Sequence, residues 1–228
     1  RSLNSKDRSF GDRSFGGGSA LAVLLSVRSL SKRYSPESPW ALRDVDVDVA
    51  AGEFVTILGP SGAGKSTFIR CINRLVEPTS GTITFNGVPL AQLSDKELRR
   101  QRRDIGMIFQ EFHLIDRLDV LTNVLVGRFG ALPPWRPILG LYPAQDVAVA
   151  RQALARVGLA EYAHRRAREL SGGQRQRVAI ARALTQQPRL ILGDEPVSNL
   201  DPATSEGIMR LLRQVNEEDG ITIILNLH

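Results

Sequence analysis

Eight consecutive residues, Gly59-Pro60-Ser61-Gly62-Ala63-Gly64-Lys65-Ser66, carry the spacing G-x-x-x-x-G-K-[ST]. That spacing suits a nucleotide's phosphates. Glycines permit a tight turn and let bare backbone N–H groups approach phosphate oxygens. A helical stretch, residues 67–75, follows, and its N-terminus adds positive potential at the same point. Lys65 is long enough to reach the β- and γ-phosphates, and the Ser66 hydroxyl is placed to ligate Mg²⁺. The expected ATP contacts are Gly59, Pro60, Ser61, Gly62, Ala63, Gly64, Lys65, Ser66 and Thr67, with Lys65 also acting on the transferred phosphoryl group. The alternative, a glycine-rich turn with a surface lysine, fits poorly with an apolar run before the loop and a helix after it.

Leu190-Ile191-Leu192-Gly193-Asp194-Glu195 is an apolar strand ending in two acids. Both acids then sit at a sheet's carboxyl edge, where ligands of α/β folds bind. Asp194 is expected to hold Mg²⁺ directly or through water, and Glu195 to polarise an attacking water. Leu170-Ser171-Gly172-Gly173-Gln174 admits two readings. Ser171 and Gln174 form an S-x-x-Q capping box on the following helix. Yet two glycines in a helix's first turn are poor helix formers, and they make sense where bare amides must approach a phosphate.

These groups need a scaffold. Residues 25–30 alternate like a strand, and Asp44-Val45-Asp46-Val47-Asp48-Val49 alternates strictly, as a half-buried strand should. Ala50-Ala51-Gly52-Glu53 reads as a turn, residues 54–58 as a buried strand, and residues 82–85 as a strand entering a tight Asn86-Gly87 turn. Residues 94–103 read as a polar helix and 106–109 as a buried strand. From about 111 to 169 the character is helical, with Val147, Ala150, Leu154 and Val157 at helical spacing. Residues 128–143 hold too many prolines for a continuous helix. After Leu170 come helix, strand (190–193), helix (203–216) and strand (221–225). Strand–helix alternation with apolar strands predicts an α/β fold with a mainly parallel sheet.

Composition excludes little and contradicts nothing. At 228 residues, 42% hydrophobic and 24% charged, the chain suits one large domain or two lobes over a shared core. No run reaches the roughly 18 apolar residues of a membrane-spanning helix, and no secretory signal is visible. A net charge of +6 raises nucleic acid as a partner, but the arginines are scattered over helices and read as solvated, so no nucleic acid is expected. The lone Cys71 fits a reducing compartment and reads as a packed helix residue. His113 and His164 lack metal-ligand spacing. Asp7-Arg8-Ser9-Phe10-Gly11 repeats as Asp12-Arg13-Ser14-Phe15-Gly16, so residues 1–20 are expected to be a disordered low-complexity tail before a domain at 21–228.

Taken together, the motifs resemble the nucleotide-binding subunit of an ABC transporter. Leu170–Arg177 reads LSGGQRQR, the signature of that family. Gln110, after Met107-Ile108-Phe109, matches its Q-loop; Ser198-Asn199-Leu200-Asp201 matches its D-loop; His228 matches its switch histidine; and Tyr34 matches the aromatic that stacks on adenine. The resemblance covers about residues 24–228. It implies a P-loop NTPase of the ABC ATPase type, α/β, with a mainly parallel core sheet, an N-terminal antiparallel β-subdomain and a helical subdomain at about 111–170. Gln110 then helps ligate Mg²⁺ and senses a transmembrane permease, and His228 contacts the γ-phosphate. The resemblance further implies a head-to-tail homodimer. ATP on one P-loop is closed over by Ser171, Gly172, Gly173 and Gln174 of the twin, at the cytoplasmic face of the inner membrane, peripherally attached, with a solute-binding protein as an indirect partner.

Two departures stand out. Asn199 sits where the D-loop usually has a small residue, and the family continues past the switch histidine with a further strand and helices, so the resemblance implies a chain cut short at His228. Gly127-Arg128-Phe129-Gly130, Pro133-Pro134-Trp135-Arg136, Leu139-Gly140, Asn73-Arg74-Leu75 and Gly220-Ile221-Thr222 are similar to phosphonate-import ATPases, implying phosphonate uptake. Uptake of another solute such as a polar amino acid stays open, as do a soluble ABC-type ATPase and a module that binds ATP and dimerises without turnover. The long coiled-coil insertions or fused second cassette usual in the soluble class are missing from this sequence.

Overall fold

The strict alternation at 44–49 is realised as a strand whose three aspartates are exposed while Val45, Val47 and Val49 turn inward. In the computed structural model, which describes residues 22–133 and 135–227, this strand is β2 (Leu42–Ala50), paired antiparallel with β1 (Val23–Lys32). The strands β3 (Phe54–Ile57), β4 (Ser80–Phe85), β5 (Val88–Pro89), β6 (Ile105–Ile108), β7 (Leu190–Asp194) and β8 (Thr222–Asn226) complete two sheets. One is antiparallel, in the order β2-β1-β4-β5; the other is parallel, in the order β3-β8-β7-β6. The expected low-complexity tail, Pro134 and His228 lie outside the described residues.

Period-two alternation divides the parallel sheet between two cores. Leu190, Leu192, Ile224, Ile105 and Met107 face α1 (Lys65–Ile72) and the antiparallel sheet, where Leu25, Val27, Leu30, Phe68, Ile69 and Phe85 close the layer. Ile191, Ile223, Leu225 and Ile108 face the other way, against helices. Strands buried on both faces read as apolar runs rather than as alternation, which is why the sequence marks them so clearly.

After α2 (Asp95–Gln101), which carries a Ser94/Glu97 capping box, come α3 (Val120–Leu125), α4 (Trp135–Ile138), α5 (Ala144–Arg156), α6 (Gly172–Thr185) and α7 (Pro202–Asp219), of which α3, α5, α6 and α7 pack on that second face. The proline-rich stretch forms no continuous helix, as its prolines predict: it holds the end of a 3₁₀ turn (Val126–Ala131) and then the four-residue α4. Its neighbour Arg128 anchors it: Nε meets Asp146 Oδ1 of α5 at 2.7 Å, and Nη1 donates to the Thr185 carbonyl of α6 at 3.1 Å. At its start α7 is capped by Asp201, which accepts from the Thr204 N–H at 3.0 Å, and Pro202 occupies the first turn. It ends at Gly220, whose φ of 65° turns the chain directly into β8. Among the described residues no helix is long and apolar enough to cross a membrane.

Candidate functional site

Parallel pairing puts the carboxyl ends of β3, β8, β7 and β6 along one edge. The loop 59–64 leaves β3 there, Gln110 follows β6, Asp194 and Glu195 end β7, and Asn226 ends β8. Residues as far apart in sequence as Ser66 and Asn226, 160 positions, thus converge because of one topological fact.

The glycine loop delivers the chain into α1 through Gly64, which has φ +88°. A Cβ there would lie 2.1 Å from the Ala41 carbonyl oxygen, so no other residue fits. No side chain caps α1 and its first turn holds no acid, which leaves its N-terminal amides directed at the loop's cavity. Lys65 opens the helix and is only 7% exposed. Its ammonium folds back onto the loop, donating to the carbonyls of Gly59 at 2.6 Å and Pro60 at 3.0 Å.

Asp194 is 2% exposed and fully engaged. Its Oδ2 receives Arg70 Nη2 at 3.0 Å and Nε at 3.2 Å, and its Oδ1 accepts from Asn226 Nδ2 at 2.9 Å. Asn226 Nδ2 also donates to Ser66 Oγ at 3.2 Å, and the Glu195 N–H donates to Asn226 Oδ1. Glu195 adopts φ +51°, a left-handed conformation unusual for a side-chain-bearing residue at the end of a strand. The Ser66 hydroxyl and the Asp194 carboxylate are therefore neighbours through one amide group. Two hard oxygen donors beside a phosphate-sized loop fit Mg²⁺, which commonly takes one or two protein oxygens and completes its shell with phosphates and water. Among the described residues no group of three His, Cys, Asp or Glu side chains gathers as a self-sufficient metal site.

The other expected residues are less concentrated. Tyr34 is 62% exposed at the rim, its hydroxyl 3.1 Å from Thr67 Oγ1 and its ring under Lys32 Nζ at 5.2 Å. Gln110 is exposed just beyond β6. Ser171, exposed, caps α6: its N–H donates to Gln174 Oε1 at 3.0 Å, and its Oγ accepts from the Gln174 N–H at 3.3 Å. The capping reading of this segment is thus realised. Gly172 is exposed, whereas Gly173 has a local reason to be glycine, since a Cβ would lie 2.5 Å from Thr204 Cγ2 at the start of α7. The segment packs toward Leu200 and Thr204, while the P-loop packs on Ala41 and Leu42. His228 lies outside the described residues.

Arg70 and Asn226 were not singled out by sequence reasoning. Arg70 looks like an ordinary basic residue near a helix end. Asn226 carried one signal, an amide directly after an otherwise apolar strand.

Comparison with known proteins agrees with this geometry. The family model described as ABC transporter matches residues 42–198. The phosphonates import ATP-binding protein PhnC of Chromohalobacter salexigens is 53% identical over 205 residues, covering 90% of this chain and 75% of that protein. PhnC of Bdellovibrio bacteriovorus is 52% identical over 206 residues, covering 90% and 78%. Among solved structures, the dimeric post-hydrolysis state of the ATP-binding cassette MJ0796 with ADP and Pi aligns at TM-score 0.75 and 38% identity, covering 90% of this chain and 88% of that one. The cbiO1 protein of Clostridium perfringens, part of the ABC transporter complex cbiONQ, aligns at TM-score 0.78 and 32% identity, covering 90% and 78%. This chain belongs to the ABC transporter family, as an ATP-binding cassette that hydrolyses ATP to drive transport.

Proposed function

We propose that this cassette powers uptake of phosphonates, working as a head-to-tail pair beneath a transmembrane permease. The observation that carries the catalytic part is the convergence of Ser66, Asp194 and the Glu195 backbone at one sheet edge, joined by Asn226, beside Lys65 on the same loop. The solute rests on relatives about half identical to this chain that are named as phosphonates import ATP-binding proteins.

In this reading the amides of residues 59–67 and the N-terminus of α1 cradle the phosphates. Lys65 exchanges its two carbonyl partners for β- and γ-phosphate oxygens. Ser66 and Asp194, with Gln110, would hold Mg²⁺, which when bound would supply neutralisation of charge on those phosphates. Glu195 orients the attacking water and draws its proton, and His228 contacts the γ-phosphate. Tyr34 stacks on the adenine from the rim. In-line attack by that one water needs bulk solvent excluded and the γ-phosphate surrounded, yet Tyr34 and Gln110 at this edge are exposed. Ser171, Gly172, Gly173 and Gln174 of a second copy close it, bringing the N-terminus of that copy's α6 onto the γ-phosphate. Within their own chain Gly172 and Gly173 face Leu200 and Thr204, which supports a second copy as the one that completes the site. Residues 21–228 form the working domain, with residues 1–20 a low-complexity tail. Residues 111–170 make up the helical part that meets the permease at the inner face of the membrane.

The test compares ATP turnover and assembly for the parent and Glu195→Gln. The variant is expected to bind Mg²⁺-ATP, lose turnover by at least about 100-fold and accumulate as a dimer with ATP. Equal turnover in both proteins would refute the role of Glu195. With the permease and binding protein in vesicles, methylphosphonate should raise turnover and a polar amino acid should not; the reverse would overturn the solute.

A further inference from the structure

Asn226 belongs to none of the motifs above, yet it touches three of their residues, one in the P-loop and two at the end of the acidic strand. The sheet order explains why a connecting group is needed. P-loop strand β3 and acid strand β7 never pair; β8 lies between them. Parallel register sets Asn226 level with Ile57 on one side and with Asp194 on the other. From that position one fully buried side chain spans the gap. Its two amide hydrogens go to Ser66 Oγ (3.2 Å) and Asp194 Oδ1 (2.9 Å), and its carbonyl accepts the Glu195 N–H.

Few side chains could replace it. The bridge needs two donors and an acceptor on a short planar group, which among the amino acids describes asparagine, with glutamine one carbon too long. An aliphatic residue, the ordinary occupant of a strand such as Thr-Ile-Ile-Leu, would take these bonds from the buried Asp194 carboxylate and from the part-buried Ser66 hydroxyl and Glu195 N–H. The carbonyl end also supports Glu195 in its left-handed conformation, which fixes where that side chain departs from the strand.

Building on the nucleotide-site reading, we propose that Asn226 is a positioning residue. It holds the Ser66 hydroxyl and the Asp194 carboxylate at the separation that Mg²⁺-nucleotide requires, and it sets the backbone from which Glu195 acts. It touches neither nucleotide nor water itself. Phosphate binding in the absence of metal runs through the loop amides and Lys65, which Asn226 does not contact. Its removal therefore weakens the metal's contribution selectively.

The experiment titrates a fluorescent ATP analogue with Mg²⁺ and with EDTA, at a temperature well below each protein's melting midpoint. For Asn226→Ala the affinity in EDTA should stay within about twofold of the parent, while the gain on adding Mg²⁺ should shrink by about tenfold or more, the scale of a lost buried bond to a charged group. Asn226→Thr, whose hydroxyl can donate to Asp194 and accept from the Glu195 N–H, should lose less. An unchanged Mg²⁺ gain in folded Asn226→Ala overturns the proposal. So does a proportional fall with and without metal, which marks a merely structural role. If Asn226→Ala does not fold, Asn226→Thr decides: a parent-like gain overturns the proposal and a reduced one upholds it. A parent that binds no nucleotide in either condition instead refutes the underlying site.

Discussion

Replacing Lys65 by alanine separates binding from folding. The Lys65 ammonium is held by two carbonyls at 2.6 and 3.0 Å, so on the proposed reading ATP exchanges partners rather than creating bonds from nothing. Charge-assisted bonds contribute about 1.5–3 kcal/mol each. Exchanging two neutral carbonyl acceptors for anionic phosphate oxygens in a nearly buried setting is then worth a difference of about 2–4 kcal/mol. That predicts a loss of ATP affinity of about 30- to 1000-fold for Lys65→Ala. The fold should hardly notice. A cation in the first turn opposes the helix dipole, so losing it offsets the two lost carbonyl bonds, and the stability change should stay within about 1 kcal/mol. Equilibrium titration with a fluorescent nucleotide, beside a urea melt, reads both quantities. A variant that melts like the parent and binds ATP within threefold of it would refute the reasoning.

Three further predictions rest on the same geometry. Gly173→Ala pushes a methyl to within 2.5 Å of Thr204 Cγ2 and should cost about 1–2 kcal/mol after the gain in helix propensity; Thr204→Ser should restore stability but not turnover, and a Gly173→Ala melt matching the parent would contradict it. Asp146→Ala leaves the mostly buried Arg128 without its carboxylate and should destabilise by about 3–5 kcal/mol in urea, whereas a change under about 1 kcal/mol would show the pair to be idle. Cys71 is wholly buried, and burial pushes its thiol up to about 11, so native protein at pH 8 should resist thiol reagents and react only once unfolded; stoichiometric labelling of the native form would contradict the packing.

Much of this was legible because the signals are local. The P-loop is contiguous, the alternation at 44–49 announces a half-buried strand, and buried parallel strands announce themselves as apolar runs ending in chemistry at Asp194 and Glu195. What escaped depends on pairing. Nothing near Asn226 says that β8 will slot between β3 and β7, and a strand read as ending at Leu225 leaves out the residue that matters. The contact from Arg70 to Asp194 joins α1 to a strand end more than a hundred positions away. Gly173 shows the opposite case: sequence offered one reason for a glycine, a ligand's approach, and the fold supplies a second, the methyl of Thr204.

In the proposed pair, the P-loop of one copy is completed by the Ser171 segment of another. Mixing Lys65→Ala protein with Ser171→Arg protein tests it most directly, because neither forms an intact site alone, while the mixed pair regains one sound P-loop facing one sound Ser171 segment. With random exchange in a two-fold pair, turnover should recover to about a quarter of the parent's. Turnover no greater than that of the two variants measured separately, in a mixture shown to exchange subunits, would contradict the account.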